Sequence, residues 1–105
     1  MKKIRFSPQA KIDLKEIRKY ITNELCSSKS AERTVSRIMK RIRSLAELPE
    51  IGAPLSSIVD VETDYRFLVC GNYIVFYQYE NNIVHIARIL YGRRKYVQIL
   101  FGDTD

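Results

Sequence analysis

YRFLVCGNYIVFYQYENNIVHIARIL, from Tyr65 to Leu90, decides the fold. Tyr, Val, Ile and Phe dominate it, and two short breaks, Gly71-Asn72 and Asn81-Asn82, cut it into three runs. Aromatic and β-branched residues favour strands, and two-residue Gly/Asn joints favour hairpins. The runs therefore predict a three-stranded antiparallel meander. In the middle run Ile74 and Phe76 fall on one face, and Tyr73, Val75, Tyr77 and Tyr79 on the other. In the third run Ile83, His85, Ala87 and Ile89 share one face, and Val84, Ile86, Arg88 and Leu90 the opposite one. Both faces are apolar enough to need covering.

The cover lies upstream. KKIRF alternates basic and apolar side chains and reads as a short strand. Ser7-Pro8 then supplies a helix N-cap and a first helical residue. Ala10, Leu14, Ile17, Ile21 and Leu25 recur at spacings of three and four, the apolar stripe of one helix. CSSKS, Cys26 to Ser30, breaks that helix. Val35, Ile38, Ile42 and Leu45, with Ala31 before them, form a second stripe. Two such helices with a short polar joint make an antiparallel helical hairpin. Pro49, Gly52 and Pro54 end the second helix in a stiff loop. The expected fold is α+β over one domain, residues 1–105: a strand, a helical hairpin and an antiparallel sheet (βααβββ). YVQILF at the end reads equally as a short helix or an extended tail.

The 105 residues carry a net charge of +6, placed unevenly. Residues 1–59 hold 13 Lys/Arg against 6 Asp/Glu, and residues 60–105 hold 5 against 6. A basic front half suits an acidic partner, either nucleic acid or protein. No apolar run could span a membrane and no signal peptide is evident, so the chain reads as cytoplasmic. Cys26 and Cys70 have no metal spacing and read as free structural thiols. No ligand cluster implies a metal or cofactor.

After Leu90 the chain reads YGRRKY, which puts Arg93, Arg94, Lys95 and Tyr96 at the tip of the last strand. They are either a solvated end paired with Asp103 and Asp105, or cations that meet something anionic. Arg33, Arg37, Lys40 and Arg41 form a basic face on the second helix, which alone reads as a solvated stripe. The Tyr73, Tyr77 and Tyr79 stripe is either half-buried sheet with hydroxyls in water or an open groove for a protein. His85, flanked by apolar residues, reads as a satisfied structural histidine.

Three stretches, SPQAKIDLKEIRKYI, LAELPEIGAPL and the sheet through GRRKY, resemble the RelE/ParE superfamily of type II toxin–antitoxin toxins. The resemblance covers nearly the whole chain and implies two N-terminal helices packed on an antiparallel sheet. It also implies a toxin that arrests growth when free and is neutralised by an antitoxin. Tyr73, Tyr77, Tyr79, Arg33, Arg37 and Arg41 are the antitoxin-facing candidates. RelE-like members cut mRNA in the ribosome, and ParE-like members poison DNA gyrase. Arg66, Arg93, Arg94 and Tyr96 would be the catalytic set of a RelE-like ribonuclease. Arg88, Arg93, Arg94 and Lys95 would face the target in either branch. Ile74 and Leu68 stand where RelE-like members place further cations, a departure from the ribonuclease pattern. The long helical hairpin, the PEIG-type loop and the basic tip of the last strand look closer to ParE-like members. A relative that binds an antitoxin-like partner without being toxic is the third reading.

Overall fold

The computed structural model describes residues 2–92 and 94–102. Arg93, Asp103 and Asp105, named above, lie outside them. The chain runs β1 (Lys3–Phe6), α1 (Pro8–Glu24), α2 (Ser28–Ser44), β2 (Ala53–Pro54), β3 (Arg66–Cys70), β4 (Tyr73–Glu80), β5 (Ile83–Tyr91) and α3 (Tyr96–Phe101), with a 3-10 turn over Leu55–Ser57. The sheet order is β1-β5-β4-β3-β2. The meander forms as its sequence requires, and each joint supplies the left-handed backbone that a tight hairpin needs. Gly71 has φ 59°, and Asn81 and Asn82 have φ 53° and 61°. Two pairings go beyond the sequence reading. β1 joins β5 in parallel, and the two-residue β2 caps the far edge by pairing with β3.

Both helices start at a serine N-cap, Ser7 as expected and Ser27 within the CSSKS break. Ser7 Oγ accepts from the Ala10 N–H, and Ser27 Oγ accepts from the Ser30 N–H. The α1–α2 hairpin covers one sheet face. There Ile17, Ile21, Ile38 and Ile42 pack on Leu68, Val75, Tyr77, Val84 and Ile86. The fifth apolar residue of the α1 stripe behaves otherwise: Leu25 lies past the helix end and is 65% exposed. The tail is helical. α3 covers the opposite face, where Tyr96, Ile99, Leu100 and Phe101 pack against Phe76, Leu90 and Leu55.

The alternation predicted for β5 fails at one residue. Phe76 pairs with Arg88 and Tyr77 with Ile86, so Ala87 is a bulge. The bulge turns Ile89 onto the helix-covered side with Ile86, and Leu90 onto the α3 side. α1 holds this irregular stretch at several points. Ser7 N–H donates to Ile86 O, and Ser7 Oγ donates to Ala87 O at 2.7 Å. Asp13 accepts from Arg88 and from the Ile89 N–H. Among the described residues, no helix is long and apolar enough to cross a membrane.

Candidate functional site

One groove has a volume of about 800 Å³. It opens where the C-terminal half of α1 and the middle of α2 pass the sheet end formed by the β3–β4 turn and the end of β5. Ile17, Ile21, Ile38 and Ile89 give it an apolar floor. Three tyrosines line it, Tyr20 from α1, Tyr73 from β4 and Tyr91 from β5, and Tyr20 is 62% exposed. Tyr73 and Tyr91 meet edge-to-face with ring centroids 5.9 Å apart. Burial, chiefly, and then the neighbouring Tyr20 and Tyr91 push the Tyr73 phenol above its ordinary value, so it is neutral and a hydrogen-bond donor at physiological pH. Cys70 also lines the groove. Burial raises its thiol, against a smaller opposite pull from Arg41 and Arg37, so it is not an activated nucleophile. An apolar, aromatic trough with few polar groups suits the side chains of a protein segment.

The sequence-predicted tyrosine stripe is corrected here. Tyr73, Tyr77 and Tyr79 do share a face, but the helices lie over it. Tyr77 is fully buried, donating its hydroxyl proton to Pro49 O at 2.8 Å and accepting from the Gly52 N–H at 3.0 Å. No partner can reach it in this arrangement. Tyr73 and Tyr79 are half-buried, and only Tyr73 lines the groove. Arg33, Arg37 and Arg41 form an exposed row along α2 at a spacing of four. Arg37 lines the groove, and Arg41 Nη2 reaches Val69 O at 3.5 Å.

The cations proposed for RNA chemistry are dispersed. Arg66 Nη1 donates to Gly52 O at 2.7 Å and to Glu50 O at 3.4 Å, holding the loop after α2. It begins β3, whereas the groove meets that strand at Cys70, four residues or about 13 Å further along. Arg88, expected to face the target, is spent on Asp13 through two hydrogen bonds at 2.8 and 2.9 Å. Those bonds hold its pKa above the ordinary arginine value. Arg94 lines the groove and is exposed, and Lys95 is exposed just before α3. Tyr96 opens α3, and its ring stacks on Phe76 with centroids 5.2 Å apart. His85 is not the satisfied core residue expected. It is half-exposed in a shallow recess with Arg5, Gln78 and Glu80, and no described residue hydrogen-bonds its ring. Cys26 is exposed rather than structural, and both thiols are free.

Among the described residues, no group of three or more His, Cys, Asp or Glu could hold a metal ion. The groove-lining residues that the sequence reading passed over include Glu16, Tyr20 and Glu24. Their signal was available: spaced by four, they place a large aromatic between two carboxylates on one line of α1.

The sequence model of the ParE toxin of the type II toxin–antitoxin system parDE matches residues 4–96. The chain belongs to the ParE toxin family. It is thus the toxin-type component of such a system, which implies an antitoxin partner. Among solved structures it is similar to a chain of the chromosomal ParDE toxin–antitoxin system from P. aeruginosa. That match has a TM-score of 0.73 at 19% identity and covers 87% of this chain and 96% of the other. At that identity the likeness concerns the fold. No curated protein sequence matches significantly.

Proposed function

We propose that this ParE-family toxin arrests growth by binding its target, DNA gyrase, rather than by cutting RNA. The observation that carries the reading is the dispersal of the candidate chemistry. Cleavage through a 2′-hydroxyl needs a base, an acid and cations converging on one phosphate. Here Arg66 ties down a loop, Arg88 is paired with Asp13, Tyr96 packs on Phe76, and Arg94 stands at the opposite sheet end from Arg66. A toxin that acts by binding needs no such convergence. The exposed Arg94 and Lys95, next to Arg93, are its target-facing cations, and the cytoplasm is where it meets gyrase. The antitoxin seats a segment in the α1/α2/sheet-end groove, with Arg33, Arg37 and Arg41 drawing in its acidic residues.

The test is pulse-labelling after the chain alone is induced in bacteria. Thymidine incorporation should fall first and methionine incorporation later. An immediate loss of methionine incorporation with thymidine spared would move the toxin to the RNA-cutting branch. Continued growth with both intact would remove the toxic activity itself.

A further inference from the structure

The charged lining of the groove is divided by element. α1 contributes carboxylates only: Asp13, which is spent on Arg88, and the exposed Glu16 and Glu24. α2 and the segment after β5 contribute guanidinium groups only, Arg37 and Arg94, both exposed. The salt bridges among the described residues are Arg18–Glu32 and Asp13–Arg88, so none of these four charges has an ion-pair partner there. The apolar and aromatic floor carries both sets at its rim.

We infer that the groove reads the charge of the segment it takes. Its occupant is an amphipathic peptide segment, that of the antitoxin, whose apolar strip is flanked by both Lys/Arg and Asp/Glu. The inference rests on the reading of this groove as the antitoxin seat and adds the rule by which a segment is chosen. Each of these wall charges attracts its complement and repels a like charge, and such repulsion rejects wrong partners more sharply than attraction selects right ones. Nucleic acid fits poorly, because Glu16 and Glu24 would repel phosphates that Arg37 and Arg94 attract. The pattern therefore favours a protein carrying both signs.

The test is display selection with a random library of helical peptides on three immobilised full-length proteins: the unsubstituted chain, Arg37→Glu/Arg94→Glu and Glu16→Lys/Glu24→Lys. All four positions are exposed, so the variants should melt with the parent, which is checked first. The parent should enrich peptides with apolar residues at i, i+4 and i+7 flanked by charges of both signs. The first variant should enrich peptides stripped of acidic residues, and the second peptides stripped of basic ones. A parent-selected peptide should bind either variant about tenfold more weakly or worse, with the gap narrowing at high salt. Equal charge composition on all three proteins, or no enrichment on the parent, would overturn the inference. Growth arrest is read separately. Arrest with a charge-blind groove sinks only this inference, whereas an intact charge rule without arrest sinks the toxin reading alone.

Discussion

Asp13 and Arg88 stand 75 residues apart in sequence and meet side-on. Arg88 Nε donates to Asp13 Oδ2 at 2.8 Å and Nη2 to Oδ1 at 2.9 Å, while the Ile89 N–H also reaches Oδ2. The pair fastens α1 to β5 where the bulge at Ala87 interrupts the ladder. Asp13 is 4% exposed, so its carboxylate oxygens are served by these three donors rather than by bulk water. Arg88→Ala should leave a buried carboxylate with one backbone donor and cost about 3–5 kcal/mol in urea unfolding. Asp13→Leu combined with Arg88→Met should recover part of that loss, because no buried charge remains, although the buried Ile89 N–H loses its acceptor. A single substitution as mild as a surface change would mean that the pair is solvated.

Tyr77 joins the core to the loop after α2. Tyr77→Phe should cost about 1–3 kcal/mol at neutral pH, since a part-buried carbonyl and a buried N–H lose their partner. Its pKa is raised above 10.0, chiefly by burial. The sign follows from proton counting. Above pH 10 the unfolded phenol ionises while the folded one keeps its proton, so stability is full below that pH and falls as pH rises. Part of the alkaline loss should vanish in Tyr77→Phe. Identical alkaline slopes in the two proteins would count against this account of Tyr77.

Gly52 packs the same loop directly against the sheet. A Cβ there would lie 2.5 Å from the Tyr77 hydroxyl oxygen and 2.7 Å from Phe67 O. Neither neighbour can yield freely, because one is buried and the other is backbone. Gly52→Ala should therefore destabilise by about 1–3 kcal/mol, read as a lower thermal midpoint.

Cys26 follows the last turn of α1 with φ 50°, a left-handed conformation that a Cβ disfavours. Cys26→Gly should stabilise the protein by about 0.5–1 kcal/mol, the relief of that strain less the extra freedom of an unfolded glycine. A drop in the unfolding midpoint would show that the thiol makes a contact worth more than the strain.

The fold was legible because its signals are local and repeated. The N-cap serines, the two apolar stripes and the Asn81-Asn82 turn each name their own element. What stayed hidden depends on distant partners. Nothing near Ala87 announces a bulge, so the faces of β5 were read straight through it. Tyr77 looked like its neighbours Tyr73 and Tyr79, and only the loop from Pro49 to Gly52, brought over it by tertiary packing, separates them. Asp13 was legible in principle, since a carboxylate between Ala10 and Ile17 on an apolar stripe needs a buried cation. The groove was not, because it is made from two helices and a sheet end that no single period links.

The account stands most directly on gyrase. Purified protein would be incubated with gyrase, ATP and relaxed plasmid, and in parallel with an mRNA in a translation extract. The account predicts loss of supercoiling, or linear plasmid trapped in a cleavage complex, with the mRNA left whole. Untouched gyrase together with ribosome-dependent cutting of the mRNA would contradict it.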